Sequence, residues 1–157
     1  MTFRKQCFAA VLMTAFLILP CLASAQDLND LLANTDLFHS LTPEQLDKVA
    51  SLCTQHTGAP GDVLIPQDEV LDKMYTLVSG HAVVLVEGVG QVYEFGPGIV
   101  VGEASFVTHG PSIASVELDQ ESEVVVIDAK TLREMMDADT DFGYAVMNNI
   151  AYKLTTY

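Results

Sequence analysis

Between Asp62 and Asp128 the chain is cut into six short apolar runs: "DVLIP", "KMYTLVSG", "HAVVLVE", "QVYEF", "SIASVEL" and "SEVVVID". Val, Ile, Tyr and Phe dominate them, and Gly, Pro or Asp punctuates them at close intervals. Runs this short with such breaks read as β-strands joined by turns. Gly88 and Gly90 suit a hairpin, as do Gly96, Pro97 and Gly98. Many short strands with tight turns imply a sandwich or jelly roll.

Helical patterns bracket this block. "DLNDLLANTDLFHS" reads as a short helix and a loop, and "LTPEQLDKVASLC" as a clear helix. Thr42 is its expected N-cap, Pro43 takes the first helical position and Gln45 completes a capping box. Leu46, Val49, Leu52 and Cys53 supply its apolar face, and "GAPGD" ends the region with turn residues. After the strands, Asp128 can cap "AKTLREMM", with Leu132, Met135 and Met136 facing inward. "TDFGYAVMNNIAYKLTTY" follows, with Phe142, Val146, Ile150 and Leu154 as a stripe that is either core or a homodimer or partner contact.

The N-terminus has a different character. "MTFRKQ" carries Arg4 and Lys5, "CFAAVLMTAFLILP" is an apolar run, and Ala23-Ser24-Ala25 is a small-residue cleavage site. This is the layout of a secretory signal peptide over residues 1–25, leaving a single domain over 26–157. The apolar run is short for a membrane span, which needs about 20 residues. A lipidated end at Cys21 fits poorly because Pro20 stands where a small residue is expected. Cleavage after Ala25 implies a periplasmic or secreted protein with no stable membrane span. It also leaves Cys53 as the only cysteine, so no internal disulfide forms, and Cys53 reads as a small buried hydrophobe.

Charge narrows the partners. The 157 residues hold 7 Lys and Arg against 21 Asp and Glu, a formal net charge of −14. Losing Arg4 and Lys5 with the signal takes this to −16, because residues 1–25 contain no acid. Nucleic-acid and anionic-membrane surfaces need the opposite sign, so neither is expected as a partner. The acidity serves solubility.

The order helix, β-roll, helix pair resembles the cyclic nucleotide-binding domain of catabolite-activator-type transcription factors, kinase regulatory subunits and gated channels. The resemblance runs from about Leu31 to Leu154. "LFHSLTPEQLDKVASLC" is similar to the family's N-terminal helical segment, and "APGDVLIPQDEVLDKMYTLVSGHAVV" to its first strands, including Ser79-Gly80. "FGPGIVVGEASF" is similar to the turn that leads into the phosphate-binding cassette. The resemblance implies an α+β, mainly β fold: a double-stranded β-helix, or jelly roll, flanked by N- and C-terminal helices.

It also implies a site. In the family, helix-start amides and one arginine bind the cyclic phosphate, and a glutamate accepts from the ribose 2′-hydroxyl. Carried over, Gly102 and Glu103 keep their places, and Ala104 and Ser105 supply amides. After Pro111, where the family has its arginine, this chain has Ser112, followed by Ile113 and Ala114. The missing arginine costs roughly ten- to hundredfold in phosphate affinity. Glu103 would add repulsion of about 3 kcal/mol towards a phosphate ~5 Å away at an effective dielectric of about 20. His109 is the one nearby titratable cation, so nothing local is expected to cancel that repulsion. Asp68 replaces the usual turn glycine and, as Asp tolerates the left-handed conformation, is expected to keep the turn. No helix-turn-helix follows the last helix, so a DNA-binding role is not expected.

Two functional readings follow from these residues. One is a non-enzymatic sensor domain with weakened or altered nucleotide binding, whose last helix repositions on binding; a neutral or zwitterionic ligand suits Glu103 and Ser112 better than an anion. The other is a degenerate fold acting as a protein-interaction scaffold in the cell envelope. Catalysis is not expected: His39, His56, His81 and His109 lack metal-ligand spacing, and no nucleophile motif or Walker loop occurs. No cofactor is expected beyond a cyclic nucleotide or other small-molecule ligand.

Overall fold

The computed structural model describes residues 25–156. Residues 1–24 of the proposed leader (1–25), Cys21 included, lie outside the described residues. Two helices come first, α1 (Ala25–Ala33) and α2 (Pro43–Ala50). Seven strands and a short helix follow: β1 (Cys53–Gly58), β2 (Val63–Ile65), β3 (Lys73–Ser79), β4 (Ala82–Val86), β5 (Gly90–Phe95), α3 (Glu103–Thr108), β6 (Ser115–Leu118) and β7 (Ser122–Asp128). α4 (Ala129–Ala138) and α5 (Thr140–Thr156) end the described chain. The strands form two antiparallel sheets, ordered β1-β7-β3 and β2-β6-β4-β5.

The three-stranded sheet is the middle layer. Between the sheets, Leu64, Ile65, Tyr75, Leu77, Phe95, Val116, Leu118 and Val124 form one core. On its other face, Met74, Val125 and Ile127 pack against helix residues Leu32, Val49, Leu132, Phe142, Val146 and Ile150 and against Leu37 and Phe38 of the α1–α2 loop. β7 therefore sends Val124 to one core and Val125 to the other, which is why "VVVI" reads as a continuous apolar run.

Local signals in the sequence hold in detail. Thr42 and Gln45 form the reciprocal capping box, with Thr42 N donating to Gln45 Oε1 at 2.9 Å and Gln45 N to Thr42 Oγ1 at 3.3 Å. Asp128 caps α4 by accepting from Thr131 N at 2.7 Å, and these bonds to its ionised form hold its carboxyl below the usual carboxylate range. Asp68 adopts φ +65°, the left-handed turn conformation expected of it.

Two expectations are corrected, and one strand carried no signal in the sequence. α2 stops at Ala50, and Cys53 opens β1 instead of extending the helix face. β1 itself, "CTQHTG", lacks an apolar alternation because it is a largely exposed edge strand paired only with β7. Of the two readings of the stripe Phe142, Val146, Ile150 and Leu154, core holds for the first three, and Leu154 does not share it. Phe142, Val146 and Ile150 are 1%, 0% and 1% exposed within the helix-side core, while Leu154 is 47% exposed. The reason is geometric. Steps of four residues each drift about 40° on a helix of 3.6 residues per turn, so a fourth member has turned about 120° away. Lys153, eleven residues from Phe142, returns to the buried face instead.

Truncating that core is therefore costly. Phe142→Ala is expected to lower stability by about 3–5 kcal/mol, read as a fall in the urea midpoint; a near-neutral effect would mean that Phe142 lies at a surface.

Candidate functional site

Gly102 sits at the point where the Val100-Val101 segment turns into α3. Val101 pairs with Tyr75 of β3, with Val101 N to Tyr75 O at 2.8 Å and Tyr75 N to Val101 O at 3.0 Å. Gly102 caps α3 at φ +98°. A Cβ there would lie 3.0 Å from the Lys73 carbonyl oxygen and 3.4 Å from Met74 Cα. The glycine is thus required by its conformation and by the approach of β3's backbone, independently of any ligand. Helix α3 is short, and its first bond runs from Phe106 N to Gly102 O at 3.0 Å. The amides of Glu103, Ala104 and Ser105 precede that bond.

The second half of the site is laced to the β2–β3 loop. Asp68 N donates to Ser112 O, and Ser112 N to Glu69 O, both at 2.8 Å. Gln67 N donates to Ser115 Oγ at 2.9 Å. The Ser112 hydroxyl closes on its own turn, donating to Ala114 O at 2.6 Å.

These segments enclose a cavity of about 320 Å³, within the range of small-ligand sites. All seven expected residues line it: Gly102, Glu103, Ala104, Ser105, Ser112, Ile113 and Ala114. Its walls are otherwise apolar, from Ile65, Val84, Val86, Val92, Ile99, Val101 and Val116, with Tyr93 at one side. Ile113 is 79% exposed and stands at the mouth.

Two further lining residues, Lys153 and Leu154, come from α5. Lys153 is the residue that the sequence reading missed. Its side chain is 9% exposed, and Nζ lies 2.8 Å from Asp36 Oδ2 and 3.4 Å from Glu103 Oε1. Nζ also donates to the Val100 carbonyl. Asp36 in turn accepts from Val100 N through Oδ1 at 3.0 Å, and its own N donates to Gly98 O at 2.9 Å. The expectation that no cation offsets Glu103 is therefore corrected: the cation arrives from α5, fifty residues along the chain.

His109 does not serve the cavity. It caps the far end of α3 at φ +56°, where its Nε2 accepts from an Arg133 NH group at 3.3 Å. Arg133 also donates to Phe106 O, and its guanidinium lies 4.2 Å from the centre of the Phe106 ring. His81 pairs with Asp119, Nδ1 to Oδ2 at 2.8 Å. Among the described residues no three His, Cys, Asp or Glu side chains gather as metal ligands. Cys53 is partly buried, with Sγ 3.3 Å from Val49 O, and burial pushes its thiol up to about 12, so it holds no thiolate at neutral pH. No described helix is long and apolar enough to cross a membrane.

Comparison with known proteins gives a consistent picture. The family model for the cyclic nucleotide-binding domain matches residues 56–139, over half of the chain. A cAMP-dependent protein kinase regulatory subunit from Hypocrea atroviridis is 27% identical over 105 residues, covering 67% of this chain and 22% of that protein. The chain thus spans about a fifth of that relative. A solved structure from Geobacter metallireducens GS-15, described as a cyclic nucleotide-binding protein, superposes with a TM-score of 0.72 at 25% identity, over 81% of this chain and 95% of that one. The regulatory subunit of a cAMP-independent protein kinase A from Trypanosoma cruzi, bound to guanosine, gives a TM-score of 0.63 at 29% identity, over 68% of this chain and 38% of that one.

Replacing Gly102 tests the local geometry. Gly102→Ala is expected to lose about 1–2 kcal/mol from the left-handed conformation alone, with more from the Lys73 contact; unchanged stability would mean that the turn has another shape.

Proposed function

Because this chain belongs to the cyclic nucleotide-binding domain family, we propose that it is a non-enzymatic small-molecule sensor whose cavity takes an uncharged, hydroxyl-bearing ligand of the nucleoside class in place of a cyclic phosphate. One observation carries this reading. The Ser112 hydroxyl, where the family resemblance puts the phosphate-binding arginine, is already bonded to Ala114 O. Glu103, the residue that the family resemblance assigns to a ribose hydroxyl, is retained and lines the same cavity.

Electrostatics point the same way. Asp36 and Glu103 flank a single Lys153, so the cluster carries a formal charge of −1. A phosphate monoanion would enter that field without an arginine to meet it. An uncharged ligand avoids this cost, gains burial against the apolar walls and still offers a hydroxyl to Glu103. The guanosine in the similar Trypanosoma cruzi regulatory subunit supports the same ligand class.

We place the domain outside the cytoplasm, on the signal-peptide layout of residues 1–25. Intact mass and N-terminal sequencing of the protein from its producing cells are expected to begin at Gln26. A chain retaining Met1 in the cytosolic fraction would contradict export.

Calorimetric titration tests the ligand class. Guanosine or adenosine is expected to bind more tightly than cyclic GMP or cyclic AMP, and 2′-deoxyguanosine more weakly than guanosine. Ser112→Arg is expected to raise cyclic nucleotide affinity by about ten- to hundredfold. Tighter binding of cyclic nucleotides by the wild type would overturn the reading.

A further inference from the structure

Lys153 lies in the last turn of α5, far from the cassette in sequence, yet it bonds the one carboxylate that lines the cavity. Among the residues that line the cavity it alone carries a positive charge. Its ammonium is shared among Val100 O, Asp36 and Glu103, which fixes both the rotamer of Lys153 and the seat of α5. The neighbouring Leu154 adds an apolar wall from the same helix. A second polar contact sets the height of α5. Asn149 Nδ2 donates to Leu37 O and to Ser40 Oγ, each at 2.8 Å, in a buried position.

We propose that Lys153 is a positioning residue for ligand recognition, holding the Glu103 carboxylate from α5 through Oε1 so that Oε2 is presented to a ligand hydroxyl. The inference rests on the reading of the cavity as a site for an uncharged, hydroxyl-bearing ligand. It adds that the hydroxyl acceptor and the helix beside the cavity share one ion pair. Without Lys153, Glu103 faces Asp36 with no intervening cation, and the carboxylate turns away to water. Ligand affinity and the docking of α5 are then linked, and by reciprocity each strengthens the other.

A double-mutant cycle of Glu103→Gln and Lys153→Met on the protein tests this, with two readouts. The first needs no ligand. Amide hydrogen exchange over residues 150–156 is expected to quicken by about threefold or more in Glu103→Gln, an isosteric change that spares the fold. The double variant is expected to exchange no faster than Lys153→Met alone. Unchanged exchange in Glu103→Gln would overturn the tie between the cassette and α5.

The second readout is guanosine affinity. Lys153→Met is expected to weaken it by about tenfold or more, the loss of one charged hydrogen bond. In the Glu103→Gln background the same substitution is expected to cost less than about twofold, because little is left to position. Equal losses in the two backgrounds, or none, would overturn the positioning role. Failure of the wild type to bind guanosine would sink the ligand class alone, and the exchange comparison would still decide whether Lys153 couples Glu103 to α5.

Discussion

A lysine ammonium sealed from water must be surrounded by acceptors, and Lys153 draws its acceptors from three separate parts of the chain. Asp36 comes from the loop after α1, Val100 from the segment before the cassette, and Glu103 from the first turn of α3. Removing Lys153 from this buried cluster is expected to cost about 3–5 kcal/mol, because two carboxylates are left uncompensated. The seat of α5, the path of the 34–41 loop and the tilt of the cassette are therefore set together. The apolar face of α5, through Phe142, Val146 and Ile150, supplies the adhesion, and Lys153 and Asn149 supply the register.

On the proposed function, the same cluster also decides what the cavity can hold. A site built for a cyclic phosphate concentrates positive charge beside the helix-start amides. Here the arginine position is a serine whose hydroxyl is engaged in its own turn, and the only lining cation is already shared between two carboxylates. The cradle is otherwise complete. Gly102 turns as the family pattern requires, the seven cassette residues face one cavity, and the β2–β3 loop still clasps the Ser112 backbone. In that reading the cradle keeps its shape, and its charge no longer favours a phosphate. That combination suits a ligand recognised through hydroxyls and an apolar face.

Much of this was legible in the residues. The six apolar runs became β2 to β7 with boundaries shifted by a few residues at most, because Gly, Pro and Asp mark turns by their backbone preferences. Thr42, Asp128 and Asp68 each did what their side-chain chemistry dictates. The seven candidate cassette residues were named through family resemblance, and all seven line one cavity. β1 was missed because an exposed edge strand has no apolar alternation to read. Lys153 was missed for a different reason. A four-residue count along α5 selects Leu154, whereas the true helical period brings residue 153 to the inner face, and a lysine there is itself the signal of a buried partner. Asp36, in a polar loop, carried no comparable signal, since its role exists only once α5 and the cassette are folded against it.

The most direct test of the account is an experimental structure of the protein grown with equimolar guanosine and cyclic GMP. The expected result is guanosine in the cavity, a ribose hydroxyl on Glu103, and Lys153 still paired with that carboxylate. Cyclic GMP in the cavity, with its phosphate against Ser112 and the α3 amides, would contradict it.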